Sequence, residues 1–311
     1  ELKYTSENSK FYGMLGGRLN YFENINTFKE YIFEPRINLS YELFSNFKTQ
    51  LLGEFKSQAT NQIIDLEQNF LGIEKRRWIL SDGDALPLTK SKQGSIGFNY
   101  DTDTFYLGID GFYKKVDGIN VYTQGFQNQN QFDGEIGSYA VKGLEFLINT
   151  KNNVYSAWLS YTYNKNDYTF DALIPTSFPN NLDIRHSITL AGNYTIGNLK
   201  LGCGLNFKSG KPYTQPNDNE PVNNNVFPNE INFESSNSSR LPEYIRADFS
   251  AVYTIKLSDK LKGTLGASIL NFTNRKNTLN TYYRLKDDNS IETVERISLG
   301  LTPNASFRVQ F

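Results

Sequence analysis

The sequence predicts an all-β protein, a transmembrane antiparallel β-barrel of about twelve strands. Three observations predict this fold class: long segments in which apolar and polar residues alternate, connections that are alternately short and long, and abundant aromatic residues in a polar chain. The mean hydropathy is −0.52 although the chain has 20 Tyr and 23 Phe. A sheet with one apolar and one polar face has this composition, because alternation hides the apolar face in the average.

Residues 33–44 show the alternation most clearly. Phe33, Ile37 and Leu39 fall on one face, whereas Glu34 and Arg36 fall on the other. About ten alternating residues are too many for an ordinary soluble strand and suit a tilted membrane-crossing strand. Similar segments lie at 15–21, 105–113, 144–148, 155–163, 184–194, 199–207, 245–255, 261–269 and 305–311. No apolar run approaches the roughly 18 residues that a membrane helix needs, and neither a propeller repeat nor the short strands of a β-sandwich are found.

The connections between these segments alternate in length. Short turns rich in Gly, Asn, Asp and Ser are predicted at 45–46, 101–103, 151–153, 197–198 and 258–260. Long loops are predicted at 59–93, 116–136, 165–182, 209–242 and 273–303. Because outer-membrane barrels have short periplasmic turns and long outer loops, the strand near residues 10–22 is predicted to run outward.

Charge and reactive residues exclude several functions. The net charge is −1, from 32 basic and 33 acidic residues, so no nucleic-acid partner is expected. Cys203 and His186 are the only residues of their types, which leaves no disulfide, no Cys/His metal site and few catalytic candidates. Both fall on the apolar face by alternation. We therefore expect no enzyme activity, no catalytic residues, no metal and no cofactor, and we interpret residues 81–87 as a turn rather than a calcium loop.

Two groups of residues are candidates for function. If the apolar face meets lipid, the polar face lines the lumen and contacts a plug or water. The candidates for that lining are Glu34, Arg36, Glu145, Asp183, Arg185, Arg246 and Asp248. Aromatic residues among Asn, Gln and Lys in the long loops are candidates for substrate binding, and aromatic chelators, sugars and peptides fit them equally well. These loop candidates are Trp78, Tyr122, Phe126, Tyr213, Phe227, Tyr282 and Tyr283. The alternative for each is loop packing.

Several segments in order resemble the C-terminal barrel of TonB-dependent outer-membrane receptors, particularly siderophore receptors. They are EPRINLSYEL (34–43), GFYKKVDGINVY (111–122), SYAVKGLEFLI (138–148), WLSYTYNKNDY (158–168), FPNNLDIRHSITLAGNY (178–194), FKSGKPYT (207–214), RLPEYIRADFSAVY (240–253), NFTNRKN (271–277) and LTPNASFRVQF (301–311). At the end of the last segment, Phe307, Val309 and Phe311 resemble the terminal signal read by the barrel-assembly machinery.

The resemblance implies a 22-stranded barrel that an N-terminal plug domain fills. Residues 1–311 would then be the C-terminal part of one barrel domain, strands 11 to 22, without the plug and the first strands. Since Glu1 follows no export signal, we expect further residues to precede it. The implied location is the Gram-negative outer membrane, and the implied partners are outer-membrane lipid, the TonB complex acting through the plug, the assembly machinery and, as a further candidate, a surface lipoprotein.

The function that the resemblance implies is active import of a large, scarce solute such as a ferric siderophore. A passive porin is a rival, as is a barrel that forms part of a larger surface or secretion assembly. An outer-membrane hydrolase ranks last, because the single histidine faces the apolar side.

Overall fold

A computed structural model describes residues 1–24, 28–65, 75–121, 134–259 and 261–311, with the backbone alone for residues 63–65 and 75–76. The first strands are β1 (Leu2–Thr5), β2 (Phe11–Asn24), β3 (Phe28–Phe44), β4 (Phe47–Gln58), β5 (Thr60–Asp65), β6 (Lys75–Leu80), β7 (Thr89–Asp101), β8 (Phe105–Asn120), β9 (Ile136–Lys151), β10 (Tyr155–Thr169) and β11 (Ser177–Pro179). The remainder are β12 (His186–Ile196), β13 (Leu199–Lys208), β14 (Pro212–Tyr213), β15 (Val222–Asn223), β16 (Glu230–Ile231), β17 (Ser239–Arg240), β18 (Tyr244–Lys256), β19 (Lys262–Leu270), β20 (Thr278–Leu285), β21 (Ile291–Ile297) and β22 (Thr302–Gln310). Among the described residues, no helix has the length and apolar character needed to cross a membrane.

One antiparallel sheet organises the chain, in the order β1-β2-β3-β4-β7-β8-β9-β10-β12-β13-β18-β19-β22. Apart from the short β1, the twelve strands of this order within the described residues have 9 to 17 residues each. A tilted strand needs about 9–11 residues to cross a membrane, so all twelve are long enough. The predicted all-β fold class and the number of long strands are confirmed.

The register keeps one apolar face across the whole sheet. Leu15 lies opposite Ile37, and Phe249 opposite Ile269. This face exposes large side chains, with 62 % of Phe33 accessible. Apolar exposure of this extent along a sheet is unfavourable in water and favourable in lipid.

Short turns connect the strands at one end of the sheet. Asn46, with a φ of 68°, and Gly197, with a φ of 55°, adopt the left-handed conformation that two-residue hairpin turns require. Aromatic rings lie beside these turns: Phe44 stacks on Phe47 with 4.8 Å between ring centroids. Such rings are typical of the aromatic girdle at a membrane interface.

The opposite end carries the long loops, and here the structure differs from the sequence prediction. Small hairpins form within the loops, namely β5–β6, β14–β17, β15–β16 and β20–β21. Three strands also extend into regions predicted as loops, since β7 begins at Thr89, β8 ends at Asn120 and β10 ends at Thr169. The sequence did not predict these extensions because the alternation breaks there.

A β-bulge explains the break in β8. Gly118 has a φ of +79°, and the register shifts between Asp117 and Ile119. The extra residue brings Val116 and Ile119 to one side of the strand. They join a buried apolar cluster at the loop end, which also contains Val121, Tyr168, Phe170, Leu173 and Phe178.

Candidate substrate-binding surface

A cavity of about 1070 Å³ lies on the polar face of the sheet. Residues of seven strands, β2, β3, β4, β7, β8, β9 and β10, line it. The sheet must curve for so many strands to border one cavity. The charged lining residues are Arg36, Glu54, Asp110, Lys114 and Glu145.

Like and unlike charges face each other across this wall. Arg36 lies directly opposite Glu54, and Asp110 lies directly opposite Glu145. Two carboxylates in direct cross-strand register repel each other. The carboxylate of Asp110 lies over Gly97, in the space that a Cβ at that position would take. The strand therefore needs glycine there to hold this carboxylate.

Two buried amide oxygens on the same wall lack a donor. Asn164 Oδ1 and Asn166 Oδ1 have no hydrogen-bond partner among the described residues, and Asn166 lines the cavity. Buried polar atoms are normally satisfied. The hydrogen bonding of this part of the wall is therefore incomplete among the described residues.

Glu34 is a fully buried carboxylate of the polar face. Its Oε2 accepts from Arg18 Nε at 2.9 Å, and its Oε1 accepts from the backbone N of Ser57 at 2.6 Å. The Ser57 hydroxyl donates to the same oxygen. These bonds join β2, β3 and β4, which satisfies a charge that would otherwise be costly to bury.

Asp183 forms the centre of a second buried cluster, which we call the Asp183 clamp and define as Asp183, Arg185, Arg240 and Asn166. Asp183 Oδ1 accepts from Asn166 N at 2.8 Å, and its Oδ2 accepts from Arg185 Nε at 2.8 Å. Arg240 donates to the same Oδ2 and, through Nη1, to the Asp183 backbone oxygen at 2.8 Å. Asp183 and Arg185 lie in the loop just before β12, outside any strand.

Asn237 makes a second connection between the loop at 170–185 and the loop at 209–243, which Arg240 already connects through Asp183. Its Nδ2 donates to the Pro179 backbone oxygen at 2.8 Å and to Asn181 Oδ1 at 2.7 Å, and its N donates to Thr214 Oγ1 at 3.0 Å. Its φ of 55° is one that asparagine tolerates better than most residues. The loops at 170–185 and 209–243 are therefore fixed to each other.

Arg246 and Asp248 share the polar side of β18. Arg246 Nε donates to Asp248 Oδ1 at 2.8 Å, and the same oxygen accepts from the backbone N of Asn271 at 2.8 Å. The hydrogen bond from Asn271 to Asp248 connects β18 to the loop that follows β19.

A smaller pocket of about 410 Å³, the outer pocket, lies between the 209–243 loop and the β20–β21 hairpin. Its lining is mostly uncharged and consists of Gln215, Pro216, Asn217, Asp218, Pro221, Val222, Tyr283, Asn289, Ile291 and Thr293. Asn229 Nδ2 donates to Asn289 Oδ1 at 2.9 Å, and the rings of Phe233 and Tyr283 meet edge to face with centroids 6.4 Å apart. Amides, a phenol and apolar edges suit a polar organic ligand.

Tyr283 is a hydrogen-bond donor at neutral pH. Burial raises the pKa of its phenol to about 12, and the neighbouring Tyr213 and Glu295 act in the same direction. The structure thus brings together two of the predicted loop aromatics, Tyr213 and Tyr283.

The other predicted loop residues lie apart from this pair. Phe227 is 99 % exposed and Trp78, on the β5–β6 hairpin, is 64 % exposed. Tyr282 stacks with the guanidinium of Arg284 at 5.2 Å. The predictions for Tyr122 and Phe126 fall outside the described residues.

Sequence reasoning missed Phe233, Asn229 and Asn289 at the outer pocket and Arg240 in the clamp. The one signal available for the pocket was the density of asparagine in residues 217–229.

The remaining candidates lie along the apolar face. Phe307 is opposite Leu265, Val309 is opposite Gly263, and the terminal Phe311 is 98 % exposed. His186 Nδ1 lies 3.0 Å from the Tyr161 hydroxyl, and Cys203 is exposed opposite Phe249.

These features define a β-barrel wall of the outer-membrane type, with long apolar-faced strands, short turns at one end and structured loops at the other. The family model described as "TonB dependent receptor-like, beta-barrel" matches residues 1–272, and the chain belongs to this family. It is a family of receptors and not of enzymes. Comparison with curated proteins gives no significant match.

Solved receptor structures share the fold at low sequence identity. The ferric yersiniabactin uptake receptor FyuA from Yersinia pestis is 12 % identical with a TM-score of 0.61, over 97 % of this chain and 42 % of FyuA. The ferric preacinetobactin receptor BauA from Acinetobacter baumannii is 14 % identical with a TM-score of 0.63, over 99 % of this chain and 42 % of BauA. The ferric citrate transporter FecA in its unliganded form is 13 % identical with a TM-score of 0.63, over 97 % of this chain and 42 % of FecA. The chain therefore spans less than half the length of these receptors.

Proposed function

We propose that the full-length protein is a TonB-dependent receptor of the Gram-negative outer membrane that actively imports a large, scarce solute such as a ferric siderophore. Family membership is the main support. The structural neighbours FyuA, BauA and FecA are described as receptors or transporters of ferric chelates. In this proposal residues 1–311 are the C-terminal part of a single 22-stranded barrel domain and catalyse no reaction.

The single structural observation that carries the proposal is the wall of the large cavity. Charged residues there face a space of about 1070 Å³, and the buried oxygens of Asn164 and Asn166 lack donors. A folded plug provides counter-charges for this wall, because buried charges need partners. Arg36 and Glu145 line this cavity, and we propose that they, with Glu34, Asp183, Arg185, Arg246 and Asp248, form the lumen-facing, plug-facing surface.

The partners follow from the faces of the sheet. Lipid covers the apolar face, the TonB complex acts through the plug, and the assembly machinery reads Phe307, Val309 and Phe311. A surface lipoprotein over the outer loops is a further candidate partner. Substrate first contacts the outer pocket, whose phenol and amides provide donors and acceptors.

A loop replacement tests this function. The backbone N of Asn217 bonds to the Asn232 oxygen at 2.8 Å, so residues 218–231 can be replaced by a two-residue turn without separating the strands at the base. Thr214, Asn237 and Arg240 remain. We expect the full-length variant to keep its folded, heat-modifiable band and to lose uptake of labelled ferric siderophore, because the loop is far from the barrel's hydrogen-bonded ladder.

A matched pair of strains, with and without functional TonB, provides the control. Uptake by the unaltered receptor should disappear without TonB. Equal uptake in both strains would indicate the rival passive porin, and a stoichiometric co-purifying protein without any uptake would indicate a component of a larger assembly. Full uptake by the loop variant would place recognition elsewhere.

A further inference from the structure

Four lysines form a continuous row on the apolar face, one on each of four consecutive strands. They are Lys92 on β7, Lys115 on β8, Lys142 on β9 and Lys165 on β10, and we call them the lysine row. Along each strand, counted from its short turn, the lysine is the first charged residue on the apolar face. The large apolar or aromatic residues that precede the four lysines on this face are Ile96, Tyr113, Leu144 and Tyr163, respectively.

The four lysines are neighbours across the strands. Lys92 lies directly opposite Lys115, and Lys142 lies directly opposite Lys165. Lys142 is also opposite Tyr113, which places it diagonal to Lys115. Like charges in direct cross-strand register are unfavourable, and two such pairs side by side require compensating negative charge.

Among the residues that the structure describes, carboxylates pair with two of the four lysines. Lys115 pairs with Asp117 at 3.1 Å, and Lys165 pairs with Asp167 at 3.0 Å. Among the described residues, Lys92 and Lys142 have no carboxylate within ion-pair distance, and both are exposed. Lys92 instead lies 5.6 Å from the centroid of the Phe55 ring. Within the described part of the chain, the row therefore has two positive charges without a carboxylate partner.

All four lysines lie at one level above the short turns. Each is nine or ten residues from the strand end at the turn, namely Asp101, Phe105, Lys151 or Tyr155. At about 3.3 Å per residue and a strand tilt of about 40°, this distance corresponds to a height of roughly 25 Å, which is the height of the apolar band of an outer-membrane barrel. The row therefore borders the apolar band on the side of the long loops.

We infer that the lysine row is a binding site for the phosphorylated headgroup of a lipid in the outer leaflet. The acyl chains of such a lipid pack on the apolar band below, and its phosphates lie between Lys92 and Lys142. Basic residues next to an apolar membrane surface bind anionic headgroups in this way. The aromatic neighbours Phe55, Tyr113 and Tyr163 suit the interface between headgroup and chain. This inference rests on the proposed membrane location of the apolar face, but not on the substrate or on TonB.

The test uses the full-length protein in phosphatidylcholine vesicles that contain either a bis-phosphorylated glucosamine lipid or its dephosphorylated form. Lipid retained by the barrel after detergent extraction is quantified by mass spectrometry. We expect the unaltered protein to retain the phosphorylated form at least several-fold better. The double variant Lys92→Gln/Lys142→Gln should lose this preference.

Lys200→Gln/Lys262→Gln is the matched control. It removes the same charge at exposed lysines of the short-turn end and should leave the preference intact. Equal retention of both lipids by the unaltered protein, or an unchanged preference in the Lys92/Lys142 variant, would overturn the inference. The heat-modifiable band separates this failure from that of the proposed function: an inserted barrel without lipid preference overturns the inference alone, whereas a chain that does not insert overturns both.

Discussion

Arg240 donates to both the carboxylate and the backbone oxygen of Asp183, a residue 57 positions earlier in the chain. Asp183 is completely buried, and Arg240 is about one third exposed. One arginine therefore fixes the base of the 209–243 loop to the loop that precedes β12. Because the contact lies at the loop end of the sheet, it affects how the outer loops are held more than the barrel itself.

Arg240→Gln is expected to loosen these loops without unfolding the barrel. Removing one partner of a buried ion pair costs about 3–5 kcal/mol, and Arg185 and solvent reduce this to roughly 2 kcal/mol of local stability. The expected result is faster amide hydrogen exchange at residues 177–185 and 209–216 together with an unchanged heat-modifiable band of the folded barrel. Arg284→Gln is the control, because Arg284 is exposed and its guanidinium donates to the hydroxyl of Tyr282 on its own strand. Equal exchange in both variants would contradict the role of Arg240.

Gly143→Ala is expected to lower barrel stability by about 1–3 kcal/mol, since a new Cβ would overlap the backbone oxygen of Tyr163 on the neighbouring strand and overpacking against backbone is unfavourable. Gly94→Ala is the control. Its Cβ would lie at an ordinary van der Waals distance of 3.6 Å from the backbone oxygen of Leu52. Alanine also loses less backbone entropy on folding than glycine does. Urea unfolding in lipid vesicles measures the free energy of unfolding. It should fall in the test variant and rise or stay unchanged in Gly94→Ala. A neutral Gly143→Ala would show that β9 and β10 move apart at this point without cost.

The thiol of Cys203 is expected to be accessible from lipid and shielded from water. Cys203 shares the apolar face with Leu201 and Leu205. In the full-length protein, with any other cysteine replaced, a lipid-soluble maleimide should label Cys203 and a charged, membrane-impermeant reagent should not. The pair Cys203→Ser/Gly204→Cys moves the thiol to the polar face, where a Cβ meets only Leu190 O at 3.9 Å, and should reverse the labelling. If the charged reagent labels Cys203 and the lipid-soluble reagent labels the thiol at position 204, the two faces are interchanged, because a one-residue shift in register flips every side chain.

Deletion of Phe311 is expected to reduce the amount of barrel in the outer membrane while synthesis continues. Phe311 is 98 % exposed, so its loss removes no buried packing from the folded sheet and any effect arises during assembly. Quantitative blotting of outer-membrane and total fractions measures it. Phe272→Leu, at an exposed loop phenylalanine, is the control, and equal membrane levels for both variants would rule out the assembly role.

The strands and their faces could be predicted because period-two alternation fixes which side chains share a face. Thus the pattern alone places Leu15, Ile37, Phe249 and Ile269 on the apolar face, whereas their cross-strand pairing comes from the structure. The extension of β8 was missed because a loop was predicted from residue 116, whereas the positive φ of Gly118 forms a bulge within the strand.

The loop sites could be predicted only in part. Tyr213 and Tyr283 were recognised as aromatic loop residues, but their contact depends on two loops 70 residues apart in the chain. The clamp was missed for the same reason: nothing periodic connects Arg240 with Asp183. Loop conformation depends on individual hydrogen bonds, which a residue pattern does not encode.

The Asp183 clamp and Asn237 fix the base of the 209–243 loop, and backbone hydrogen bonds mark where the tips of this loop and of the β20–β21 hairpin begin. The tips, residues 218–231 and 286–290, begin and end at backbone hydrogen bonds, Asn217 N to Asn232 O and Lys286 N to Ser290 O. Mutations, insertions and deletions within them leave the bases unchanged. Related strains under pressure from phages, toxins or antibodies that recognise exposed surface can therefore diversify the parts of these tips that do not line the outer pocket, while the positions equivalent to Asp183, Asn237 and Arg240 stay the same.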